Sequence, residues 1–165
     1  MPDYNADVTN SQKARAAYVC NGASNHSTTE RQSEDYYATD PDALRKLLDV
    51  YDGFSKNIWE VACGGNHLSN VLKERGHNVR CTDIIDRVHD GSIEVMDFLK
   101  SNEQFDGDII TNPPYTYATE FVNKALETVT NGHKVAMFLK LTFLESSKRK
   151  TLFESTPPRI ALCVH

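Results

Sequence analysis

Between residues 57 and 164 the chain repeats one pattern: a short apolar run, then a segment whose apolar residues recur at helical spacing. Residues 57–62 read as a first strand, and Leu68, Val71 and Leu72 mark one face of a helix closed by Gly76. Residues 78–82 read as a second strand, 93–96 as a short third and 107–111 as a fourth. Phe121, Ala125, Leu126 and Val129 line a helix that stops at Asn131-Gly132, and 134–139 is a fifth strand. A last helix over 143–154 precedes Pro157-Pro158 and a sixth strand, 160–164. Strand and helix in turn predict an α/β fold with a parallel sheet covered by helices on both faces. Ahead of this series, Asp40 caps and Pro41 opens a helix that carries Leu44, Leu47, Leu48 and Tyr51 on one face and ends at Asp52-Gly53.

A length of 165 residues fits one domain, and 39% hydrophobic with 25% charged residues is ordinary for a soluble protein. Residues 1–34 are rich in Asn, Ser, Thr and Asp, with only a short apolar stretch at 14–19. They read as a loosely ordered arm with one or two helical turns, before an ordered domain over 35–165. No apolar run approaches the ~18 residues of a membrane span, and the N-terminus has no signal-peptide pattern. Cys20, Cys63, Cys81 and Cys163 are scattered, which suits neither a zinc site nor a disulfide framework and makes the cytoplasm the expected compartment. The six histidines show no metal spacing, so no metal is expected.

The chemistry-bearing residues fall at successive strand ends, where open α/β sheets bind ligands. After the first strand come Glu60, Ala62, Cys63, Gly64, Gly65 and Asn66, a turn of small residues followed by a helix N-terminus with free N–H groups. The nicotinamide fingerprint G-x-G-x-x-G is absent there, since Gly64 and Gly65 are adjacent and Leu68 takes the last glycine position. Asp83, with Ile84 beside it, ends the second strand about twenty residues later, where a carboxylate can accept both hydroxyls of a ribose. Asp97-Phe98 follows the third strand, and Asn112-Pro113-Pro114-Tyr115 the fourth. The two prolines each fix φ near −65° and lack an N–H, and Asn112 before them is pushed towards extended backbone. The product is a stiff corner presenting an amide, a carbonyl and an aromatic ring. Asn112 and the Pro113 carbonyl can each accept one hydrogen of a planar amino group while Tyr115 stacks on its ring.

With these motifs the chain resembles the class I S-adenosylmethionine-dependent methyltransferases that modify exocyclic amines, above all the DNA adenine-N6 enzymes. The resemblance covers residues 35 to the end. It implies a Rossmann-like sheet, S-adenosyl-L-methionine as cofactor and S-adenosyl-L-homocysteine as product. It also implies that the turn from Glu60 to Asn66 and the carboxylate of Asp83 hold the cofactor. Asp97 then accepts from the cofactor's adenine amino group, with Phe98 or a neighbour covering the ring. Residues 35–41 resemble an aromatic-x-Thr-Pro stretch near the methionine end of the cofactor, which brings in Tyr37 and Thr39; here Asp40 intervenes before Pro41. The variation Gly65-Asn66-His67 departs from the more usual Gly-x-Gly.

Charge is unevenly spread within a net of −5. Eight acids stand against Arg87 and Lys100 between Asp83 and Asp108, whereas six bases stand against Glu145 and Glu154 from Lys134 onward. The stretch Lys148, Arg149, Lys150 is the expected contact to a DNA backbone; a solvated helix face is the alternative. The family fold normally adds a seventh, antiparallel strand between the fifth and sixth, and an aromatic residue after the sixth. This sequence stops at His165 before either, so the expected sheet lacks its last strand, either through truncation or because another chain supplies it. Methylation of a protein glutamine or of an RNA amino group, and a catalytically silent subunit that keeps the fold, are the alternative functions.

Overall fold

A computed structural model describes residues 15–21 and 39–164. Among the described residues seven strands form one sheet in the order β4-β3-β2-β5-β6-β1-β7, and every neighbouring pair is parallel. The strands are β1 (Arg15–Asn21), β2 (Asn57–Glu60), β3 (Asn78–Asp83), β4 (Glu94–Val95), β5 (Asp108–Thr111), β6 (Lys134–Leu139) and β7 (Ile160–Val164). Among the described residues four α-helices accompany them: α1 (Pro41–Val50), α2 (His67–Glu74), α3 (Ala118–Thr128) and α4 (Lys150–Ser155). The architecture is α/β and compatible with a Rossmann-like fold. None of the helices among the described residues is long and apolar enough to cross a membrane.

Because successive side chains on a strand point to opposite faces, the central strands feed two cores. Trp59, Ile109, Val135 and Met137 pack with Phe121, Val122 and Ala125 of α3 on one face. Ile58, Ile110, Ala136 and Phe138 pack with Leu44 and Leu47 of α1 and Leu68, Val71 and Leu72 of α2 on the other. Register keeps like with like: Trp59 pairs with Ile109, and Ile109 with Val135. The near-continuous apolar runs of β5 and β6 are the consequence of burial on both sides.

Local chemistry sets the helix ends. Asp40 accepts from the Asp42 N–H at 3.0 Å, with Pro41 in the first turn of α1. At the end of α2, Gly76 has φ +88°, its N–H bonds the Lys73 carbonyl, and the His77 N–H bonds the Leu72 carbonyl. That pair of bonds closes the last turn in the left-handed geometry glycine favours.

Three expectations need correction. The apolar stretch expected as helical turns near residues 14–19 belongs to strand β1, paired with β6 from Arg15↔Lys134 to Cys20↔Leu139 and with β7 from Ala17↔Ile160 to Asn21↔Val164. The slot between the fifth and sixth strands of the alternating series is therefore filled, by the N-terminal segment and in parallel orientation. Two strands facing each other across a gap leave backbone donors and acceptors that a strand satisfies on both its edges, which outweighs weak local helix preference. Finally, the helix expected over 143–154 is two 3-10 turns (Leu141–Glu145 and Ser147–Arg149) before a short α4. Ser146 breaks it: its hydroxyl accepts from the Lys148 N–H at 3.3 Å, an alternative to helical bonding. Smaller shifts occur elsewhere, since β2 stops at Glu60 and β4 spans only two residues.

Candidate functional site

The strand order reverses at β2: β3 and β4 lie on one side of it, β5 and β6 on the other. Crevices at such a point, outside the carboxyl ends of the strands, are where open α/β sheets bind ligands. A cavity of about 490 Å³ lies there, within the range of roughly 300–1,000 Å³ usual for small-molecule sites. Of the residues singled out in the sequence, Thr39, Glu60, Ala62, Cys63, Asp83, Ile84, Asp97, Phe98, Asn112, Pro113 and Pro114 line it. Gly64, Asn66 and Tyr115 do not, and Tyr37 lies outside the described residues.

Glu60 sits at the bottom, 2% exposed, and accepts from the Ser69 hydroxyl, which in turn accepts from the Cys81 thiol at 2.9 Å. Burial pushes its carboxyl up to about 8, against the lowering effect of Ser69. Asp83 takes one backbone N–H on each oxygen, Gly64 at 2.8 Å and Ile85 at 3.1 Å. A carboxylate offers about four acceptor positions, so these bonds orient Asp83 and leave capacity for ligand hydroxyls. Asp97 caps the turn Phe98–Lys100 through the Leu99 N–H at 3.2 Å. The Lys100 ammonium, 2.8 Å away, holds its carboxyl below the usual range.

The turn after β2 is held by its backbone. Gly64 has φ +55° and Asn66 φ +64°, and Asn is among the few residues other than glycine that tolerate this region. Asn66 thus adopts the left-handed backbone that glycine most often supplies. Its amide nitrogen bonds Ser92 Oγ at 2.7 Å, tying the turn to the segment before β4. Burial pushes the Cys63 thiol well up, helped by the acidic groups Glu60 and Asp83 nearby, which disfavours the thiolate.

Phe98 is 2% exposed and meets Trp59 edge-on at 5.4 Å between centroids, so it forms floor rather than lid; Ile84, 64% exposed, stands at the mouth. At the corner after β5, the Asn112 amide nitrogen donates to Thr39 Oγ1 at 2.7 Å. The Pro114 carbonyl accepts from the Tyr117 N–H at 3.0 Å. Tyr115 packs on the core, with the Lys140 ammonium 4.9 Å from its ring centroid.

Sequence reasoning missed several cavity residues: His67, Arg87, Met96, Tyr117 and Phe121. For Tyr117 a signal existed, a second aromatic residue three positions beyond Pro114. The basic stretch is only partly available to a ligand. Arg149 donates to the Phe143 and Thr142 carbonyls at 2.6 and 3.1 Å and lies over the Phe143 ring, and Lys150 pairs with Glu154 at 3.6 Å. Arg149 therefore spends part of its guanidinium on the backbone, while Lys148 is exposed. Among the described residues no group of three or more His, Cys, Asp or Glu gathers as metal ligands do. No protein-family model matches this chain, nor does any curated protein or solved structure.

Proposed function

We propose that this chain is an S-adenosylmethionine-dependent methyltransferase acting on an exocyclic amino group, with adenine N6 in DNA as its substrate. One observation carries the reading: Glu60, Asp83 and Asp97 converge with Asn112-Pro113-Pro114 on a single cavity at the reversal of strand order. Carboxylates on one side suit a ligand bearing hydroxyls, amino groups and positive charge. A rigid amide corner on the other suits an amine.

The residues fit the cofactor as follows. Asp83 is oriented to accept ribose hydroxyls, Asp97 to accept an adenine amino group, and Glu60 lies buried where a cationic centre favours its ionised form. When bound, S-adenosylmethionine supplies an electrophilic methyl group. The chain's own part is to make the substrate nitrogen nucleophilic. That nitrogen's lone pair is delocalised into the ring, and accepting its two hydrogens at Asn112 Oδ1 and the Pro113 carbonyl favours a tetrahedral nitrogen. The same acceptors stabilise the positive charge that develops on it, which is stabilisation specific to the transition state. Thr39 takes the amide nitrogen of Asn112 and so directs its oxygen away from itself. With Pro114 committed to Tyr117, the carbonyl role falls to Pro113. In duplex DNA the base must first be flipped out, at a cost of a few kcal/mol.

Two measurements test the reading. Calorimetry should show heat with S-adenosylhomocysteine and none with NAD; silence with the former ends the claim. Incubation with methyl-labelled cofactor and DNA, RNA or cell extract should yield labelled methyladenine from DNA. Label in protein instead would transfer the assignment to glutamine methylation, and binding without any label would favour a silent subunit.

A further inference from the structure

We propose that Tyr117, rather than Tyr115, is the ring on which the adenine stacks when its amino group is presented to Asn112. The inference rests on the methyltransferase reading and assigns its substrate contact. Tyr115 and Tyr117 both lie in the 3-10 turn Tyr115–Tyr117 that follows the Pro-Pro corner. With three residues per turn, side chains two apart point about 120° apart around the axis, so the two rings face different directions. Tyr115 is partly buried against the core cluster that includes Trp59 and Val135, and the Lys140 ammonium lies 4.9 Å from its ring centroid. Tyr117 lines the cavity beside Asn112, Pro113 and Pro114, and is 52% exposed despite its size. Its N–H bond to the Pro114 carbonyl fixes the turn, so the ring is carried by a backbone already stiffened at two prolines. A large aromatic ring left half in water on the rim of a cavity is a preformed face for a planar group.

The test uses the full chain and a single-stranded oligodeoxynucleotide in which one adenine is replaced by fluorescent 8-vinyladenine, which keeps the 6-amino group. Stacking should quench its fluorescence in the wild type. Tyr117→Ala should weaken binding about tenfold or more, from the 1–3 kcal/mol typical of base–aromatic stacking, and relieve the quench. Tyr117→Phe should preserve both. Tyr115→Leu should lower the Tm more than it lowers oligonucleotide affinity. Wild-type affinity and quench in Tyr117→Ala would overturn the assignment, as would a larger loss in Tyr115→Leu or no quench in the wild type. S-adenosylhomocysteine calorimetry on the same variants separates the two claims. Heat without Tyr117 dependence sinks only the stacking assignment, whereas Tyr117-dependent quenching without heat sinks the cofactor and leaves the stacking ring standing.

Discussion

Thr39 and Asn112, 73 residues apart, meet in a 2.7 Å hydrogen bond that joins the start of α1 to the end of β5. Thr39 is buried and Asn112 partly so, and both border the same cavity. The bond couples an anchor ahead of the first helix to the amide proposed to touch substrate.

Replacing Thr39 by Val removes the acceptor while keeping the shape. We expect loss of methyl transfer and about 1 kcal/mol of stability, with Thr39→Ser restoring both. Asn112→Ala should abolish transfer yet keep S-adenosylhomocysteine affinity. Collapse of that affinity would make Asn112 structural and sink the proposed mechanism.

Asp83→Asn should weaken S-adenosylhomocysteine by about 1.5–3 kcal/mol, the scale of a lost charged hydrogen bond. Because Asp83 also accepts from Gly64 and Ile85, the melting temperature should fall too. Unchanged affinity in calorimetry would remove Asp83 from the cofactor site.

Glu60 predicts a pH dependence of stability. Its carboxyl stands at about 8 in the folded chain against 4.5 for the ordinary group. Between these values the folded protein keeps a proton that the unfolded chain releases, so raising the pH favours unfolding. The contribution is complete below about pH 4.5 and is lost as pH rises to about 8. Thermal melts of Glu60→Gln should therefore decline less across this window than those of the wild type. Parallel curves would show that Glu60 is ionised in the fold.

Strand β1 should be indispensable. It pairs with β6 on one edge and β7 on the other, so removing residues 1–21 opens an internal gap in the sheet. We expect insoluble or unfolded protein, read by circular dichroism and solubility. A truncated chain that melts like the full one would refute the insertion of β1.

Lys148 and Arg149 should separate cleanly. Lys148→Ala should weaken oligonucleotide binding and lower its salt slope by about one. Arg149→Ala should chiefly lower the melting temperature, because its guanidinium bonds two backbone carbonyls. A reversed outcome would make Arg149 the phosphate contact.

The alternating series and most of the cavity wall were legible in the linear chain, because each depends on neighbours close in sequence. Apolar period distinguishes β5 from α3, Asp40-Pro41 starts α1, and Asp83, Asp97 and Asn112 each follow an identifiable strand, so strand-end logic gathers them on one edge. What local chemistry did not decide was everything set by partners far away. The strand state of β1 depends on an open slot more than a hundred residues downstream, between β6 and β7. The different fates of Tyr115 and Tyr117 depend on Lys140 and the core cluster, and Arg149 is turned inward by carbonyls exposed where Ser146 interrupts a helix. Propensity and periodicity act over a few residues; hydrogen-bond vacancies and packing volume exist only once the sheet has assembled.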